Sequence, residues 1–383
     1  MNANRRNEAG FTLIEMVIAM VVLSLVIIAF YALITTLTRQ WAGMEGQMEV
    51  QQQPRLAAGR IVAEIRQARD FVVGSCASPP CSSGNSLGLV KATVLSADAA
   101  AAATTICVDD TSSLASGKPI VLVNVTSYEQ VTASSFSGSC GTGSPVTVSA
   151  LSSAHKQGEL IRRAQSALSA NALSASTTLS VTSASTYFQA NDSVAVGSEG
   201  PFTVSAASGT TLTITPALAS NHSSGEVVQP LSVVFKLVGT QVNRCTNDCS
   251  TNGIVLADAA NPSGLQLFSV VQSTLASSAA VGASSLCVVS ATGFATNNRL
   301  QVDRETYNAG LVTLPDRATI SGFSGACAGG TTVAIHWDWT NASRPSGTMV
   351  RVNAISVNLM TSQVNANQQT QQVNVTSTAT PRN

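Results

Sequence analysis

Charge is scarce in this chain: Asp, Glu, Lys and Arg make up 10% of 383 residues, against roughly 25% in ordinary soluble domains. Acidic and basic residues cancel to a net charge of zero, so no general field draws in nucleic acid. Aromatic residues are only 4%, which leaves few of the platforms that sugar sites and protein hot spots use. Catalytic signatures are missing too. There is no Gly-rich loop ending in Gly-Lys-Ser/Thr, no His-Glu-x-x-His and no Gly-x-Ser-x-Gly elbow. Asp109-Asp110 is a pair that reads as a turn rather than an acid/base dyad. The expectation is therefore not an enzyme, with no cofactor and no metal. Ser, Thr, Ala, Val and Gly fill the space, a mixture that suits extracellular β structure.

What the chain does have is one long apolar run. From Phe11 to Leu37 the only Asp, Glu, Lys, Arg or His is Glu15. At about 1.5 Å per helical residue the run spans roughly 40 Å, enough for a tilted membrane crossing. A leader, Met1 to Gly10, precedes it and carries Arg5 and Arg6. A removable secretory signal would place an Ala-x-Ala site after the apolar stretch. Here Arg39, Gln40 and Trp41 follow instead, so the anchor is expected to stay. The paired arginines put the N-terminus inside and the bulk of the chain outside. An ionised Glu15 in the bilayer costs a few kcal/mol and so calls for a partner or a function.

Gly10-Phe11-Thr12-Leu13-Ile14-Glu15 matches the processing site of type IV prepilins, and the chain resembles a type IV pilin or a type II secretion pseudopilin. The resemblance implies that prepilin peptidase cuts between Gly10 and Phe11 and that the new N-terminus is methylated. Glu15, then the fifth residue, would meet the N-terminal amine of a neighbouring subunit inside the filament. The implied partners are prepilin peptidase, other pilins or pseudopilins through the N-terminal helix, and the bacterial inner membrane. The implied location is the inner membrane and, after assembly, a surface filament.

Past Trp41, Ala58, Ile61, Val62, Ile65, Ala68 and Val72 recur at helical spacing, a stripe for packing on a sheet. Pro54 removes a helical hydrogen bond and is expected to kink or loosen the helix there. Arg60, Arg66 and Arg69 share this stretch with Glu64 and Asp70 and read as a solvated face, with no specific nucleic acid expected.

Three similar stretches follow: Thr104-Thr105-Ile106-Cys107-Val108, Thr177-Thr178-Leu179-Ser180-Val181 and Ser284-Ser285-Leu286-Cys287-Val288. Phe136-Ser137-Gly138-Ser139-Cys140 likewise matches Phe323-Ser324-Gly325-Ala326-Cys327. These matches keep one phase and define small β units of about sixty to seventy residues. The middle unit has Ser180 and Ala206 at both cysteine positions, so Cys107 is expected to pair with Cys140 and Cys287 with Cys327. Cys76 with Cys81 and Cys245 with Cys249 would close short loops, in keeping with an oxidising compartment. Leu151 to Glu159 and Leu218 to Glu226 match without gaps around His155 and His222. Neither His has a second His or Cys at ligand spacing, so both read as turn markers. His336 beside Trp337 reads as structural.

The expected fold is α+β: a pilin-like long N-terminal helix, with a membrane half and an amphipathic half, packed on an antiparallel β-sheet head that carries inserted small all-β repeat units. The segments are the leader 1–10, membrane or filament-core helix 11–38, amphipathic helix 39–73, head 74–96, β unit 97–159, a basic head strand 160–166, β unit 167–229, head 230–272, β unit 273–340 and C-terminal head strands 341–383. With the β units set aside, the order Leu160-Ile161-Arg162-Arg163, Val233-Val234-Phe235-Lys236, Gly264-Leu265-Gln266-Leu267 and a final Arg382-Asn383 resembles a minor pilin of the PilW type or the J-type minor pseudopilin. That resemblance implies a structural subunit at the tip of a filament or initiating it. The alternative is an anchored adhesin whose β units bind a surface ligand.

Overall fold

The computed structural model describes residues 13–74, 83–123, 128–246, 253–258, 261, 264–303, 306–308, 311–313, 316–339, 343–364 and 370–381. The chain forms two compact bodies, Met1–Gln52 with Ser362–Val373, and Gln53–Thr361 with Asn374–Asn383.

In the first body the helix that begins at Leu13 carries the apolar run. In the second, the same helix, Leu13–Gln67, completes its course and buries Ala57, Ile61, Val62 and Ile65 in the head core. The helix continues through Pro54. The helix stops at Gln67, six residues before the expected boundary at 73, and Ala68–Gly74 is a strand. Ala68 and Val72 keep helical spacing with Ile61 and Ile65, which hides the change. The decisive local feature is Phe71-Val72-Val73, an aromatic and two β-branched residues that favour a pleated surface.

The head sheet is antiparallel and five-stranded, in the spatial order Ala68–Gly74, Ser86–Lys91, Val233–Val238, Gln241–Cys245, Ile254–Ala257. Its register sets Phe71 opposite Leu89, Leu89 opposite Val233 and Leu87 opposite Phe235. These side chains meet the helix stripe and Phe268, Ile355, Val357 and Leu359 in one core. Burial of this kind stabilises by about 1.5 to 3 kcal/mol per large side chain.

Two six-stranded antiparallel sheets follow. The first runs Thr93–Val94, Leu160–Arg163, Lys118–Val123, Tyr128–Ser135, Ser144–Val148, Thr105–Val108, and the second Ser166–Ala167, Val227–Leu231, Ser193–Val196, Glu199–Ser208, Thr211–Thr215, Thr178–Ser180. In chain order each sheet reads first, last, third, fourth, fifth, second. Strands Phe268–Thr274, Met349–Val364, Arg299–Val302, Asp316–Cys327, Gly330–Trp339 and Ser285–Val288 repeat that order within an eight-stranded sheet. Bridges Leu95↔Val108, Leu168↔Val181 and Leu275↔Val288 join the first strand's end to the second strand in each case. Each set thereby curls round its own apolar cluster, and the pairing leaves little open edge.

Two boundaries differ from expectation. The basic strand Leu160–Arg163 belongs to the first six-stranded sheet, where it pairs with Lys118–Val123, and not to the head sheet. Ile161 is the reason: it is fully buried in that sheet's own core. The third set is not a separate insert, because Met349–Val364 serves two cores. Val350 and Val352 fill the third cluster, while Ile355, Val357 and Leu359 fill the head.

The second sheet is seated on the head through Val72, Val90, Ala195, Leu231 and Val234. A Cβ on Gly74 would lie 1.9 Å from the Gly200 carbonyl oxygen, so the two backbones touch directly. Between the first and second sheets, Lys118 donates to the carbonyls of Ser185 (2.9 Å) and Phe188 (2.7 Å). Arg163 forms a two-pronged pair with Asp192 at 3.1 and 2.6 Å.

Candidate assembly helix and the placement of the sequence motifs

Leu13–Trp41 is long and apolar enough to cross a membrane: an 18-residue window within it has a mean hydropathy of 3.0, and none of that window is buried. Leu13, Ile14, Val17, Val21, Leu25, Ile28 and Phe30 are all more than half exposed. A helix apolar on every side cannot remain in water and needs lipid or neighbouring helices around it. Its few hydroxyls do not spoil that surface. Ser24 donates to the Val21 carbonyl, Thr35 and Thr36 to that of Ala32, and Thr38 to that of Ile34. Internal pairing of this sort is what a lipid or helix-packed environment demands. Trp41, 73% exposed, ends the run where an amphipathic ring suits a membrane–water boundary.

Glu15 stands in the first helical turn, where the helix dipole favours a carboxylate. It is exposed on the apolar stretch. Gly10 and Phe11 lie outside the described residues, as do Cys76, Cys81 and Cys249.

Cys107 and Cys140 are joined by a disulfide, with an S–S distance of 2.02 Å, and so are Cys287 and Cys327. Cys245 is also disulfide-bonded. Arg60 and Arg66 are exposed. Glu64 between them pairs with Lys91 and with Arg244 at 2.9 Å, which ties the helix to two head strands. Asp110 accepts from the Ser112 N–H at 2.9 Å, closing a local turn. His336 is exposed and its Nδ1 donates to the Trp337 carbonyl at 2.9 Å.

His155 and His222 do mark turns, and they also sit in charged sites whose partners the local sequence conceals. His155 Nδ1 lies 2.6 Å from Glu159 and its Nε2 2.9 Å from Glu129. His222 meets Glu226 at 2.8 Å and Glu199 at 2.9 Å in the same way. Burial pushes the Glu129 carboxyl up, but hydrogen bonds from Ser152, His155 and Ser153 outweigh it and hold the group at about 2. Burial pushes the His222 imidazole down, and the carboxylates of Glu199 and Glu226 overcome that and raise it to about 9. His155 is likewise raised. Glu129 and Glu199 are 26 and 23 residues from their histidines in sequence. The signal that could have found them is a Glu recurring near the start of the fourth strand in the first and second units, Glu129 and Glu199.

Among the described residues no group of three His, Cys, Asp or Glu is placed to hold a metal ion. Residues 5–31 match the family model of the prokaryotic N-terminal methylation motif. No curated protein matches the chain. Together with the exposed apolar helix, the motif supports a type IV pilin-like precursor, processed by prepilin peptidase and assembled with other pilins.

Proposed function

We propose that this protein is a minor pilin or pseudopilin, a structural subunit whose helix enters the filament core and whose head sits at the tip or initiates assembly. The observation that carries the reading is Glu15 in the first turn of the helix, on its exposed apolar stretch and inside the matched methylation motif. In a filament core of low dielectric a carboxylate gains strongly from a neighbour's N-terminal amine, and its position along the helix sets the axial step. A head of more than three hundred residues is bulky for side-by-side repetition along a thin filament, and a tip position relieves that crowding. The three strand sets with one chain order are copies of one β module that enlarges the head.

The test is Glu15→Ala in the native host. The variant should be cleaved and membrane-bound but missing from sheared filaments. Recovery at the wild-type level would refute an assembly role for the carboxylate.

A second reading, adhesion, has one specific observation behind it. Phe136 and Phe323 are 36% and 44% exposed at matching places beside the two disulfides, and the middle module lacks both features. A double Phe136→Ala, Phe323→Ala variant that keeps filaments but loses surface attachment would favour adhesion.

A further inference from the structure

The same place in all three modules holds a buried basic side chain, and the way its carboxylate partners are supplied differs between them. Backbone pairing establishes the equivalence. Ala99 and His155 exchange hydrogen bonds of 2.9 and 2.8 Å, Ala172 and His222 of 2.9 and 2.8 Å, and Ala279 and Arg344 of 2.8 and 2.8 Å. Gly158, Gly225 and Gly347 follow three residues later, each with positive φ, at +88°, +90° and +84°. Arg344 therefore occupies in the third module the position of the two histidines. All three side chains are buried, at 2%, 6% and 6% exposure.

In the first two modules both imidazole nitrogens face carboxylate oxygens within 2.9 Å. An ionised carboxylate only accepts, so both nitrogens must donate, and an imidazole with two N–H groups is the cation. The same Glu also accepts from the turn backbone: Ser152 N–H donates to Glu129 and Ala219 N–H to Glu199, both at 2.5 Å, and Ser153 and Ser220 hydroxyls donate at 2.8 Å. In the third module Thr348 replaces the Glu that follows the glycine, and Asp303 supplies a carboxylate to Arg344 at 2.5 Å. Asp303 stands where the second module has Gly197. Asp303 N–H donates to Met349 and Gly197 N–H to Val227, each at 2.8 Å, and both residues are left-handed, at φ +70° and +53°. A side chain on Gly197 would run into Glu226 at 2.4 Å. The space is thus filled from one side by Glu226 or from the other by Asp303.

We propose that the His turns of the first two modules are ionic latches in which a doubly paired imidazolium is a structural cation, and that the third module carries the same latch with a permanent cation, Arg344. Each latch ties the closing turn to the fourth-strand carboxylate or its substitute, immediately before the last strand of its module. The charged groups around His155 are Glu129 from the facing strand, Glu159 from its own turn, and the exposed Lys156–Asp98 pair beside it. Around His222 they are Glu199 and Glu226. The device makes the first two modules alkali-sensitive and the third insensitive, because a guanidinium does not lose its proton in the working range.

The sign follows from linkage. The folded imidazole binds its proton more tightly than the unfolded one, so the stabilisation is complete below about 6.5 and is lost as pH rises through the folded value, about 9 for His222. The test is hydrogen exchange of the full-length protein in detergent micelles, corrected for the intrinsic rate. It follows peptides covering Val227–Leu231 in the second module and Met349–Val352 in the third. Protection of the second-module peptide should fall by about two orders of magnitude between pH 6.5 and pH 9.5, while the third-module peptide holds.

His222→Gln should show at pH 6.5 the low protection that the wild type shows at pH 9.5. Moving the third module's solution into the second, with Gly197→Asp, His222→Arg and Glu226→Thr, should abolish the alkaline loss. If His222→Gln does not accumulate, Glu226→Gln, which keeps the Glu199 contact, should give a smaller loss in the same direction. Full protection in His222→Gln or Glu226→Gln at pH 6.5, or an alkaline loss that persists in the triple variant, would overturn the latch.

Discussion

Replacing Arg351 with Met probes how strand Met349–Val364 is locked into the head. Arg351 is 2% exposed and pairs with Asp70, which is 1% exposed. It also donates to the Phe71 carbonyl at 2.8 Å and stacks over the Phe71 ring at 3.8 Å. Removing one partner of a buried pair strands the other charge and costs about 3 to 5 kcal/mol. Replacing both by apolar side chains of similar size removes the stranded charge, and such replacements are often neutral. Arg351→Met should therefore lower stability by about 4 kcal/mol, nearly a thousandfold in the unfolding equilibrium. The double variant with Asp70→Leu should recover most of that loss. Pulse proteolysis across a urea series, with the full-length protein in detergent, measures both. A single variant within about 1 kcal/mol of wild type, or a double variant no better than the single, would refute the reasoning.

Two further outcomes follow from the same structure. Removing the Cys107–Cys140 bond, whose partners are 33 residues apart, should destabilise the first module by about 4 kcal/mol on the chain-entropy model, and proteolysis under reducing conditions should cut the first and third modules before the cysteine-free second. Gly74→Ala should cost about 3 kcal/mol or more, since the new Cβ meets the Gly200 carbonyl, backbone that cannot swing aside. The check is the urea midpoint, and an unchanged midpoint would mean that the second module is not seated against the head strand.

The N-terminal helix is legible in the sequence because its signals are local. A methylation motif, an apolar run and a stripe at helical spacing are each read within a few turns of chain. The Cys107–Cys140 and Cys287–Cys327 pairs are reachable because the middle module lacks both cysteines, with Ser180 at the first position; the expected second position, Ala206, instead faces Thr213 as Ser135 faces Thr147. The helix end was harder to read: Ala68 and Val72 continue the spacing of Ile61 and Ile65 and mask the strand preference of Phe71-Val72-Val73, which the pairing of Phe71 with Leu89 reveals. The same limit hid the charged sites. His155 and His222 find their second carboxylate on a strand that only folding brings near, and Arg344 has no resemblance to a histidine until the backbone ladder sets them in register. Strand Met349–Val364 reads from sequence as head strand throughout, because its alternation is continuous while the core it faces changes from Val352 to Ile355.

The central claim is that the apolar helix belongs to a processed filament subunit, and mass spectrometry of the N-terminal peptide tests it most directly. Filaments sheared from the native host and membranes from the same cells should both yield a chain beginning at methylated Phe11, at low abundance in the filaments. An intact Met1 terminus found only in membranes would contradict the account and leave an anchored β-rich surface protein.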